Sequence, residues 1–151
     1  MQGPAAVPLT ATTVVVPIDF SSESPRAIAV ALEVVAAASQ LHLVHVMPPL
    51  ETMSPGFLVG EITDASRTRK VTEALTKLAA ESGVSGATLA VAIGTPGLEI
   101  SDYARRQQAD MIVIPSHGYH GVKRLFLGSV AERVIRHASC NVLVVRRCDA
   151  E

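Results

Sequence analysis

Five short apolar runs, at residues 12–18, 41–47, 88–93, 110–114 and 141–147, recur along the chain, and a stretch with helical character separates each run from the next. The runs are rich in Val, Ile, Leu and Thr and lack strict apolar–polar alternation, as expected of strands covered on both faces. Strands that alternate with helices cannot close as tight hairpins. They join through right-handed βαβ crossovers into a mostly parallel sheet with helices on both faces, so the expected class is an open, Rossmann-like α/β fold.

The helical stretches carry their own punctuation. Ser24 before Pro25 reads as an N-cap with proline at the first helical position, opening a helix to about residue 39. Val71, Leu75, Leu78 and Ala79 mark one face of a helix over about 63–82, with Arg67, Lys70, Glu73 and Lys77 on the solvated side and Gly83 as its stop. Gly94-Thr95-Pro96 turns into a helix reaching about Gln107, and residues 129–137 form the last helix. Residues 48–60, with Pro48, Pro49, Pro55, Gly56 and Gly60, make the one connection long enough to act as a lid. The 151 residues suit one domain, expected over 12–147, with a flexible start at 1–11 and a short tail at 148–151. Trp is absent and aromatics make up 3% of the chain, so the core is built from Ala, Val, Leu and Ile.

Several function classes drop out. Thirteen basic residues stand against fourteen acidic ones, which leaves no nucleic-acid footprint. The longest apolar stretch, 27–38, is short and interrupted by Glu33, and the N-terminus has no leader pattern, so a cytoplasmic protein without a membrane span is expected. Cys140 and Cys148 fit neither a CxxC pair nor a zinc site and read as reduced thiols. His117 and His120 form an HxxH without a nearby carboxylate, while His42 and His45 are odd-spaced on a strand and therefore point to opposite faces; no metal site is expected from either pair. Neither GxGxxG nor GxxxxGK occurs.

In an open α/β sheet a ligand binds outside the carboxyl ends of the strands, where strand order reverses. Pro17 to Asp19, Val46, Gly94-Thr95 and the segment from Ile114 to Ser129 occupy those ends. Within it, Pro115-Ser116-His117-Gly118 is followed after nine residues by Gly128-Ser129. Glycines let backbone amides approach an anion, and the first turn of a helix offers unpaired N–H groups with a favourable dipole, a natural seat for phosphate. Ser129 with Glu132 is also a capping box that would satisfy the same donors internally, and the spacing alone leaves both readings open.

Asp110-Met111-Ile112-Val113-Ile114-Pro115-Ser116-His117-Gly118, Leu125 through His137 and Val142-Leu143-Val144-Val145 together resemble the signature of the universal stress protein family. Val14 to Ser21 resembles the family's first strand and its acidic end, and Gly94-Thr95-Pro96 its third βα turn. The resemblance implies a five-stranded sheet of order 3-2-1-4-5, of the adenine nucleotide alpha hydrolase-like kind, and a G-x-x-G-x9-G-S/T loop holding ATP, with Mg2+ as counter-ion. By position it implies that Asp19 accepts from the ribose or adenine, that Val46 meets the adenine edge through its backbone, and that Gly118, Gly128, Ser129 and Val130 cradle the phosphates, with Pro17, Ile114, Ser116 and His117 completing the expected binding residues. Pro115 departs from the pattern at the first glycine; the missing amide, if a contact, is worth about 1.5–3 kcal/mol.

The expected function is that of a nucleotide-binding stress-response sensor, not an enzyme beyond slow ATP hydrolysis. The alternatives are a weak ATP hydrolase and a dimeric interaction module that takes no nucleotide. A single acid at Asp19 is too little for a receiver domain or a phosphate-transfer centre. The last strand, Asn141–Val145, is apolar and at an edge, which together with the resemblance implies a homodimer through that strand, its altered surface read by a further protein partner.

Overall fold

The computed structural model describes residues 10–50, 62–117 and 127–147. Five strands, β1 (Val14–Pro17), β2 (Leu41–Met47), β3 (Thr88–Ile93), β4 (Met111–Pro115) and β5 (Asn141–Val145), form one sheet. All pairings are parallel and the order is β3-β2-β1-β4-β5. Four helices connect them: α1 (Ser24–Leu32), α2 (Asp64–Glu81), α3 (Pro96–Arg106) and α4 (Ser129–His137). The expected open α/β architecture and strand order are both present.

Right-handed crossovers that run outward from β1 to β3, then back to β4 and on to β5, put α1 and α2 on one face and α3 and α4 on the other. The two cores follow this division. Val14, Val16, Leu41, Leu43, Met111 and Val113 pack with Ile28, Leu75 and Ala79, whereas Val15, Val44, Ile112 and Ile114 pack with Ile100, Tyr103, Ala131 and Val134. Alternate residues of β1 thus feed opposite cores, and each fully buried Val contributes about 1.5–3 kcal/mol.

Two helix ends show how local chemistry stops a helix. After α2, the Val84 amide donates to Ala79 and the Gly83 amide to Ala80 (2.8 and 3.2 Å), with Gly83 at φ +71°. After α3, Ala109 donates to Ala104 and Gln108 to Arg105 (2.9 and 3.1 Å), and here the left-handed position, φ +52°, is taken by Gln108. Both are Schellman closures, one with the favoured residue and one without it.

Other boundaries differ from expectation. Helix α1 ends at Leu32, not near residue 39, and Glu23 rather than Ser24 holds the N-cap position. The Val34 carbonyl accepts from the incoming Ala11 amide (2.8 Å), and the Gln40 side-chain carbonyl accepts from Ala36 and Ala37 (2.8 and 3.0 Å), so the backbone groups that would extend the helix are used elsewhere. A single 3₁₀ turn, Ala38–Gln40, then leads into β2. β1 spans four residues where seven were expected, and β5 stops at Val145. The expected lid at 48–60 and tail at 148–151 lie mostly outside the described residues.

Candidate functional site

Strand order reverses between β1 and β4, and the ends of these two strands form the switch point. Their ladder is short: Val14 pairs with Met111 and Val15 with Ile112, after which the strands carry no further register. Beyond β1 the chain runs Ile18-Asp19-Phe20, and beyond β4 it runs Ser116-His117, so one acid and one imidazole follow the two diverging strand ends.

Pro17 is buried at the end of β1. Asp19 is exposed, and its Oδ1 accepts from the Ser21 amide (2.9 Å) and the Ser24 hydroxyl (3.1 Å). Among the described residues Oδ2 takes no hydrogen bond. Asp19 therefore fills the role of a loop carboxylate with one oxygen and leaves the other outward. Val46 and Ile114 are buried in the core beneath α3 and α4, so only their backbones are placed to face a ligand.

The end where the sequence leads one to expect phosphate is built from three neighbours. The Ser116 amide continues the ladder to the Val145 carbonyl (2.8 Å), and the Ser116 carbonyl accepts from the Gly128 amide (2.7 Å). A Cβ on Gly128 would lie 3.0 Å from that same carbonyl, which is the physical reason for glycine there. The Gly128 N–H is thus engaged within the protein and does not itself face a guest. Gly118 lies outside the described residues.

Gly128 is the N-cap of α4, with φ −60° and ψ 150°, and no side chain caps the helix. The capping-box arrangement open in the sequence does not form: Ser129 is the first helical residue, and Glu132 pairs with Arg136 at 2.7 Å. Glu132 is the first amide with an intrahelical acceptor, the Gly128 carbonyl (2.9 Å), so the amides of Ser129, Val130 and Ala131 precede it at the helix mouth. His117 stands next to this mouth through Ser116, to whose hydroxyl its Nδ1 is hydrogen-bonded (3.1 Å). Its Nε2 is shielded from solvent and has no hydrogen-bond partner among the described residues.

Pro115 closes β4 opposite Val145. Because Ser116 directs its amide toward β5, the neighbouring Pro115 nitrogen faces the β1 side, where the ladder has already ended. The proline costs the sheet no hydrogen bond. It removes a donor only from the mouth of the switch point.

The histidines of β2 diverge as their spacing required. His42 joins Tyr103 of α3 on one face (Nδ1 to hydroxyl, 2.8 Å), while Nδ1 of His45 meets the Ile18 carbonyl on the other (2.6 Å). Burial lowers the His42 pKa and raises that of Tyr103, the latter offset by the Arg106 guanidinium over its ring. The sequence reading treated His45 only as a failed chelator and passed over Phe20. The ring contact that joins them, 4.9 Å between centroids, links two segments far apart in sequence and had no local signal. No group of three or more His, Cys, Asp or Glu able to hold a metal occurs among the described residues.

Comparisons with known proteins agree with this geometry. The model of the universal stress protein family matches residues 10–146. Universal stress protein MJ0531 of Methanocaldococcus jannaschii is 35% identical over 140 residues, 89% of this chain and 81% of that protein. Among solved structures, hypothetical protein MJ0577 superposes with a TM-score of 0.73 at 27% identity, covering 92% of this chain and 99% of that one. A universal stress protein in complex with cAMP gives 0.61 at 25% identity, with 90% and 97% covered. With the strand order, the switch point and the Gly128-Ser129 helix mouth in place, these matches show that the chain belongs to the universal stress protein family.

Proposed function

We propose that this protein binds an adenine nucleotide, ATP with Mg2+, at the switch point between β1 and β4, and that it acts in the stress response as a homodimeric sensor. The observation that carries the reading is the uncapped mouth of α4 beside His117, whose Nε2 has no partner among the described residues. A phosphate there accepts from the Ser129 and Val130 amides and from an Nε2–H of His117, while Asp19 Oδ2 accepts from a sugar hydroxyl or base amine. The cAMP complex of a relative, 25% identical, supports a nucleotide as the guest. The described residues bind and orient; among them none makes a positioned base, and slow hydrolysis is the most turnover this reading expects. Pairing of two β5 edges supplies the dimer, and the surface altered by the bound nucleotide supplies a site for a further protein.

Ser129→Pro gives a clean test. Gly128 already has the extended backbone that proline demands of its predecessor, and proline is well tolerated at the first helical position. The substitution removes one amide and one hydroxyl from the site while leaving α4 intact. Calorimetric titration with ATP and Mg2+ is expected to show at least a roughly tenfold loss of affinity with an unchanged melting temperature, since a hydrogen bond to a charged group is worth about 1.5–3 kcal/mol. Pro115→Gly, which returns a donor to the mouth, is expected to bind more tightly than the parent. Absence of co-purified nucleotide by mass spectrometry, and of binding in the parent and in Pro115→Gly alike, would favour the interaction module that takes no nucleotide.

A further inference from the structure

From the contacts around Asp19 we infer that His45 is a positioning residue for this acid: its imidazole grips the chain on both sides of Asp19 and so sets where the carboxylate points. The inference rests on the nucleotide reading for its consequence, though not for its geometry. On the near side, Nδ1 of His45 is 2.6 Å from the carbonyl of Ile18, the group that forms the peptide bond to Asp19. A carbonyl only accepts, so Nδ1 of His45 is the donor in this bond. On the far side, the ring of Phe20 lies tilted against the same imidazole, with centroids 4.9 Å apart and planes at 48°.

Phe20 needs such a support. Its φ of +61° lies in the left-handed region, which strains a residue with a Cβ, and the residue remains 39% exposed, so core burial does not hold it. The anchor itself is rigid. His45 sits inside β2, hydrogen-bonded to neighbours on both sides, in register with Val91 of β3, and Ile18 donates to Val44 at 2.8 Å. Between the two grips, Asp19 turns Oδ1 inward to Ser21 and Ser24, which leaves Oδ2 for a ligand. His45 acts through Ile18 and Phe20.

Two substitutions separate the bond from the bulk. Asn places an N–H where the His Nδ1 lies, so His45→Asn keeps the donor to Ile18; His45→Leu fills similar space without it. Titration with ATP and Mg2+ is expected to show a roughly five- to tenfold loss in His45→Leu, most of it recovered in His45→Asn. In an Asp19→Ala background His45→Leu is expected to cost nothing further, because both act through one group. Without nucleotide, exchange of the Ser21 amide, which is bonded to Asp19, should be faster in His45→Leu than in the parent or His45→Asn. Equal affinities of the Leu and Asn variants, an undiminished loss in the Asp19→Ala background, or unchanged Ser21 exchange overturns the positioning role. A parent protein that takes up no ATP overturns the nucleotide reading instead, and Ser21 exchange then decides the role of His45 alone.

Discussion

Gln108 shows what a single residue can cost. It occupies the left-handed position that closes α3, where Gly83 closes α2, and both make the same pair of backbone hydrogen bonds. Gln108→Gly removes the steric penalty of about 1–2 kcal/mol but adds the unfolded-state entropy of glycine, roughly 0.5–1 kcal/mol. The expected net gain is about 0.5 kcal/mol, read as a higher urea midpoint at unchanged slope. His42 works in the other direction, through pH. Burial holds its pKa below the ordinary value near 6.5, so the unfolded chain takes up a proton before the folded one does. Its contribution is free of penalty above about pH 6.5, and stability falls as pH drops through that value toward the lower folded pKa. Melting temperatures measured from pH 7 to pH 5 should therefore fall less in His42→Gln than in the parent.

At the scale of elements, close packing of α3 on α4 depends on Gly97. A Cβ there would lie 2.6 Å from the Cβ of Arg133, a distance that the helix backbones must open to relieve. Gly97→Val is expected to destabilise the fold by about 1–3 kcal/mol, seen as a lower thermal midpoint, despite the better helix propensity of valine. Elements were legible in the sequence where their signals were local. The five apolar runs became five strands, and Thr63 and Gly83 framed α2, the former through a reciprocal bond with Ser66. The early end of α1 was not legible, since it depends on Ala11 and on the side chain of Gln40 reaching back four residues. At the site the strand ends and the Gly128-Ser129 turn were legible. The choice between a capped and an open helix mouth was not, because Ser129 falls one position inside α4 and only the backbone path of Gly128 decides that.

For the whole molecule the edge of β5 has a consequence for assembly. The Ser116 amide meets the Val145 carbonyl, so Val145, Leu143 and Asn141 turn their backbone groups toward β4, and Val142 and Val144 turn theirs outward. If two copies pair through this edge, Val144→Pro deletes an outward donor without touching the β4 ladder. Sedimentation at micromolar concentration should then give a dimer for the parent and a monomer for Val144→Pro, and a monomeric parent would sink the pairing. The same sheet is unevenly stitched. Six residue pairs join β2 to β3 and five join β4 to β5, but two join β1 to β4, and the foot of that seam is fastened by Asp110, whose carboxylate accepts from the amides of Thr12 and Thr13 and from the Thr12 hydroxyl. The same seam is braced from one face, because Ile28 of α1 packs against Val14 and Val16 of β1 and Met111 and Val113 of β4 together. A nucleotide bound as proposed above, between Asp19 and His117, would lie in the notch that this short ladder leaves open at the carboxyl end of the sheet, over its least hydrogen-bonded join.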